Sequence, residues 1–105
     1  MLLGAYHDGK LVGVAELNVD PYFAGRDAGR VRHLYVSKAH RRSGVGRLLV
    51  SAIIERARAY FSSLNTRAPA ESFAFYESLG FRCVAGDEFV THRMMLTEAE
   101  TRKAS

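Results

Sequence analysis

The chain has 105 residues, 48% of them hydrophobic and 25% charged, which fits one domain with its own core and excludes disorder over most of its length. Fifteen Lys and Arg against eleven Asp and Glu give a net charge of +4, which suits an anionic ligand without demanding nucleic acid. A single cysteine, Cys83, excludes an internal disulfide and a thiolate zinc site, and no apolar run nears the roughly 20 residues of a membrane span.

The opening MLLGAYHD has no basic segment and no long apolar stretch, so no signal peptide and a cytoplasmic setting are expected. Residues 1–6 and 11–18 read as strands, joined by His7-Asp8-Gly9-Lys10, whose Asp-Gly pair is a hairpin signal. Residues 19–29 hold Pro21, Gly25 and Gly29 and read as a loop. A third strand over 30–36 ends in Leu34-Tyr35-Val36. After a polar loop, Val45, Leu48, Leu49, Ala52, Ile53, Ala57 and Tyr60 recur at helical spacing. Residues 61–67 predict a short strand, and Pro69 suits the first position of a helix running to 79, stopped by Gly80. Cys83, on the apolar run 81–84, is expected to be a small buried hydrophobe. A turn over 85–88 and a strand over 89–96 follow, and residues 97–105 are expected to be a frayed polar tail. The order predicts an α+β fold: a mixed, mostly antiparallel sheet of five or six strands with two helices.

The informative segment is Arg41-Arg42-Ser43-Gly44-Val45-Gly46, which leads straight into the first helix. Its glycines permit a tight turn, and several N–H groups can then converge with those of the helix start on one anion. Arg41, Arg42 and Arg47 add charge, so a phosphate or pyrophosphate is the expected guest. A Walker A loop is excluded because Arg47-Leu48 follows Gly46 where Lys-Ser/Thr is required. The dinucleotide fingerprint is excluded because Leu49 stands where its third glycine belongs. The bland alternative is a helix start with packing glycines and solvated arginines.

Taken together, Leu34-Tyr35-Val36, then Arg41-x-x-Gly44-x-Gly46, then Phe75-Tyr76-Glu77-Ser78-Leu79-Gly80-Phe81 resemble the two signatures of the GCN5-related N-acetyltransferase (GNAT) family. The resemblance runs from about residue 1 to 96, which sets the expected domain. It implies a GNAT-like acyl-CoA N-acyltransferase fold and transfer of acetyl from acetyl-CoA, the cosubstrate, to a primary amine in a ternary complex. It also implies that Leu34, Tyr35 and Val36 pair with the pantetheine arm, with a backbone N–H, that of Val36, facing the thioester oxygen. Arg41, Arg42, Ser43, Gly44, Val45, Gly46 and Arg47 would hold the pyrophosphate, and Tyr76 would protonate the departing thiolate. Two departures stand out. Pro69 occupies a place where the family often has Asn, and the chain starts at the hairpin, without the strand and two helices that usually precede it. A minimal member, a truncated one and a partner filling the gap all remain open, and a homodimer is expected.

Glu16 is the candidate general base, with His33 as a second candidate; the alternative for Glu16 is a solvated strand residue and for His33 an ordinary sheet residue. Tyr76 could equally be core packing with its hydroxyl at the rim. Four scattered histidines predict no metal site. A non-catalytic acyl-CoA sensor or interaction subunit is the alternative function. Nucleic-acid binding is the weakest, since the arginines gather at one pocket rather than along an aromatic-studded face.

Overall fold

The computed structural model describes residues 1–23 and 27–96, so the expected tail over 97–105 lies outside the described residues. Strands β1 (Leu2–His7), β2 (Lys10–Val19) and β3 (Ala28–Val36) form an antiparallel meander. Asp8 and Gly9 both take positive φ, 50° and 78°, as a two-residue hairpin turn requires. After a short 3₁₀ turn at Lys38–His40, helix α1 (Val45–Ala57) returns the chain so that β4 (Ser63–Thr66) lies parallel to β3. A 3₁₀ turn at Ala70–Ser72 leads into α2 (Phe73–Ser78), and β5 (Arg82–Cys83) and β6 (His92–Met95) close the sheet. The order is β1-β2-β3-β4-β6-β5, and β3/β4 is its one parallel pair among the described residues. No helix in the described residues is long and apolar enough to cross a membrane.

The core lies between the sheet and α1, which packs across β2 and β3. Leu49, Val50, Ile53, Ile54 and Ala57 meet Ala15, Leu17, Val31 and Leu64 there. Four expectations need correcting. Leu48 is 71% exposed, Ala52 is exposed and Tyr60 is 72% exposed, because the apolar stripe is carried by the adjacent pairs 49/50 and 53/54 and the helix ends at Ala57, before Tyr60. Cys83 is exposed, because β5 is a two-residue edge strand rather than a core segment. Pro69 is extended (φ −69°, ψ 156°) and caps the 3₁₀ turn, so α2 begins four residues later than expected. The last strand is also shorter than 89–96, starting at His92.

A buried polar cluster clamps the strands at one end. The Asp20 carboxylate accepts a hydrogen bond from Asn65 Nδ2 at 2.7 Å and lies 3.5 Å from Arg30 Nη1. Asn65 Oδ1 in turn accepts from Arg93 Nε at 2.7 Å. The loop after β2 is thereby tied to β3, β4 and β6. Buried polar groups gain their worth from such pairing, and here it holds β3 and β4 together at Arg30 and Asn65.

Candidate functional site

Beyond that clamp the two parallel strands part. Their pairing covers only Ala28, Gly29 and Arg30 against Ser63, Leu64 and Asn65, while β3 runs on to Val36. On its other edge β3 carries a bulge. Tyr35 faces Val14 and Arg32 faces Glu16, so His33 and Leu34 together oppose Ala15. His33 takes φ 55°, the left-handed conformation that lets a bulge absorb its extra residue. Past the bulge, Ser37 N–H bonds to Val12 O at 2.8 Å, which sets the alternation: Tyr35 and Ser37 turn their backbone groups to β2, Leu34 and Val36 turn theirs into the gap. Arg41 Nε reaches the Val36 carbonyl there at 3.0 Å.

A groove of about 430 Å³ extends from this gap to the start of α1. Leu34 and Val36 form one wall, Ser72 and Phe75 the other, and Arg41, Arg42, Gly44, Gly46 and Arg47 its far end. The loop there is wound through positive φ at Arg42 (65°) and Gly44 (91°). Gly44 is the N-cap of α1 and offers no side chain, and the first turn contains no acid, so the leading N–H groups of a 13-residue helix have no side-chain cap. A Cβ on Gly46 would stand 3.5 Å from Phe75 and 3.7 Å from Val36, within ordinary contact. Arg47 donates to Ser78 Oγ at 3.1 Å, bridging α1 to α2. An unpaired strand edge, uncapped helix N–H groups and three flanking arginines suit a long ligand with an amide-bearing arm and a diphosphate.

A cleft of about 450 Å³ adjoins the groove and shares Leu34 and Ser72 with it. Tyr76 lies in its wall, 4% exposed. Burial pushes the Tyr76 hydroxyl above its ordinary value, with a Thr66 hydrogen bond acting in the opposite direction. His33 also lines the cleft, but Glu16 does not. Glu16 stands behind the imidazole instead, its Oε1 2.8 Å from His33 Nδ1. That hydrogen bond holds the Glu16 carboxyl below its ordinary range, aided by nearby positive charge and opposed by burial.

Of the residues the sequence nominates, Leu34, Val36, Arg41, Arg42, Gly44, Gly46 and Arg47 converge on the groove, and Tyr76 lines the cleft. Tyr35, Ser43 and Val45 line neither. Tyr35 is on the opposite side of β3, 55% exposed, with Arg41 over its ring at 5.8 Å. Ser43 donates to the His40 carbonyl and shapes the loop. Val45 packs against the core. Ser72, Arg32 and Arg67 were missed as lining residues, because only the divergence of β3 from β4 brings them to the gap.

A family profile described as the acetyltransferase (GNAT) domain matches residues 1–102. The chain is 34% identical over 79 residues to a glucosamine 6-phosphate N-acetyltransferase of Trypanosoma brucei brucei, a match covering 70% of this chain and 52% of the relative. It thus spans about half the length of that curated relative. Among solved structures, a proposed acetyltransferase from Exiguobacterium sp. 255-15 superposes with a TM-score of 0.84 at 25% identity, covering 99% of this chain and 67% of that one. YncA, a proposed acetyltransferase from Salmonella typhimurium solved with its cofactor acetyl-CoA, has a TM-score of 0.76 at 24% identity, covering 90% of this chain and 64% of that one. The mixed six-stranded sheet with two helices is the fold these structures share.

Proposed function

The chain belongs to the GNAT acetyltransferase family, and from that premise we propose that it transfers an acetyl group from acetyl-CoA to an amine by direct attack in a ternary complex. The observation that carries this reading is the continuity of three features: the unpaired edge of β3 beyond Arg30, the uncapped start of α1, and the cleft behind Leu34. Acetyl-CoA supplies the activated acetyl group. Its diphosphate fits the N–H groups after Gly44, and its amide-bearing arm fits the backbone edge of Leu34 and Val36.

The chain's own groups then divide the work. Leu34 and Val36 both turn an N–H into the gap, so either can donate to the thioester oxygen as charge gathers on it. Holding thioester and amine together contributes proximity, the largest entropic term available to the site. His33 is the base: with its Nδ1–H given to Glu16, the Nε2 lone pair is left for the amine proton. Glu16, nominated from the sequence as the base itself, is on this reading a positioning residue, since its depressed basicity and its place behind the ring both disfavour direct proton abstraction. Tyr76 donates a proton to the leaving thiolate. It is fully protonated at neutral pH with or without its upward shift, so burial adds nothing to its population and weakens it as an acid. Its contribution to rate therefore belongs at the low end of the roughly 10²–10⁴ range of general acids.

The test is release of coenzyme A thiol from acetyl-CoA across a panel of amines. Amine-dependent release supports the reading. Tight acetyl-CoA binding without release for any amine would leave an acyl-CoA-binding subunit in its place.

A further inference from the structure

Charge in the cleft is of one sign. Arg30, Arg32 and Arg67 line it with His33, and among the described residues no Asp or Glu does. They stand across the Leu34–Ser72 boundary from the arginines of the groove, so the groove's anion does not account for them. Arg32 and Arg67 are exposed, and neither forms an ion pair among the described residues. Arg30 differs. It is 6% exposed, sits 5.0 Å from the centre of the Tyr22 ring, and donates through Nη2 to the Phe89 carbonyl. Its Nη1 makes no hydrogen bond but is ion-paired with the buried Asp20 carboxylate at 3.5 Å, so its charge is already answered within the fold. The charge left open to a ligand in the cleft is therefore that of Arg32 and Arg67.

Resting on the acetyl-transfer reading, we propose that the acceptor is a small amine that also bears an anionic group, a phosphate or a carboxylate, held by Arg67 and Arg32 beside Arg30 while its nitrogen faces His33. Arg32 and Arg67 bring to one cleft two guanidinium groups that have no ion pair among the described residues, and an anion relieves their repulsion while taking planar, two-point hydrogen bonds. A plain alkylammonium is itself repelled by the same field, so an acceptor without a negative group enters at a disadvantage. Once an anionic amine is seated, the surrounding positive charge favours its neutral, nucleophilic form and eases the work of His33. A cleft of about 450 Å³ is of the size that takes a metabolite.

The experiment has a binding arm and a turnover arm. Three matched pairs are used: ethanolamine against O-phosphoethanolamine, glucosamine against glucosamine 6-phosphate, and propylamine against 3-aminopropanoate. Binding is titrated calorimetrically with coenzyme A present, and thiol release from acetyl-CoA gives kcat/KM. The anionic member of at least one pair is expected to bind about tenfold or more tightly than its neutral twin, the scale of one charge-assisted hydrogen bond. Preference confined to the phosphate pairs or to the carboxylate pair tells the two sources apart. Arg67→Ala and Arg32→Ala, both at exposed positions, should bring that ratio toward one, and Arg67→Lys should keep part of it. Equal binding within every pair, or a preference untouched by both alanine variants, overturns the proposal. Arginine-dependent binding without thiol release upholds the anion site in the cleft and defeats the acetyl-transfer reading; thiol release without charge preference does the reverse.

Discussion

The groove and the cleft share a wall, yet they hold their ligands by different means. The groove works through backbone: N–H groups at the start of α1, the unpaired edge of β3, and a loop wound through positive φ at Arg42 and Gly44. The cleft works through side chains: three arginines, His33 and Tyr76, drawn from β3, the segment after β4, and α2. A backbone site depends on which residues allow its conformation and tolerates changes of side-chain chemistry. A side-chain site reverses that, tolerating any residue that preserves the strands and failing when a functional group is lost.

The largest expected effect is at Gly44. A β-branched residue at φ 91° is badly strained, so Gly44→Val should weaken acetyl-CoA binding about tenfold or more. Gly46→Ala should cost far less, because Gly46 does not have positive φ and an added Cβ meets Phe75 at 3.5 Å. Calorimetric titration of both variants checks this. Equal losses would mean that open space, not backbone conformation, governs the groove.

Tyr76→Phe probes the cleft in the opposite sense. It keeps the buried ring, with its edge-on contacts to Phe75 and Phe81, and removes only the hydroxyl. Acetyl-CoA affinity should stay as it is and the melting temperature should move little, since one hydrogen bond of this kind is worth about 1 kcal/mol. Thiol release should fall by about tenfold or more. Unchanged turnover would make Tyr76 a packing residue and leave proton delivery to water.

This division also explains what could be read in advance. The groove was legible because its essentials are contiguous: Arg41 to Arg47 lie in one segment, and glycine at Gly44 is itself a statement about backbone. The Asp8-Gly9 turn and the buried part of the α1 stripe, Leu49, Ile53 and Ala57, were legible for the same local reasons. The cleft was not, because nothing in the spacing of Arg32, Arg67 and Ser72 says they meet; their meeting depends on β3 and β4 pairing at Arg30 and Asn65 and then parting. Glu16 was put forward on strand position alone, but the bulge at His33 and Leu34 sets the imidazole between it and the cleft. Cys83 looked apolar by its neighbours and is exposed because β5 ended up at the sheet edge, a fact of topology.

The smallest expected effect is at Glu16 and depends on pH. Its carboxyl is held below its ordinary value first by the His33 hydrogen bond, so the unfolded chain binds more protons in that range and the folded state gains from ionisation. That gain is present above the ordinary carboxylate range and is lost as pH falls through the depressed folded value. Glu16→Gln should therefore melt slightly below the parent near neutral pH, with the difference closing in acid. Melting curves across pH check it; a difference that widens on acidification would contradict the assigned pairing.

The central claim is that the gap between β3 and β4, running on to the start of α1, is the acetyl-CoA site. Titration of the protein with acetyl-CoA tests it most directly. The account predicts saturable one-to-one binding with a Kd below about 1 mM, matched closely by coenzyme A because the phosphates and the arm make most of the contacts, and weakened in Gly44→Val. No saturable binding at millimolar ligand, or binding that Gly44→Val leaves untouched, would contradict it.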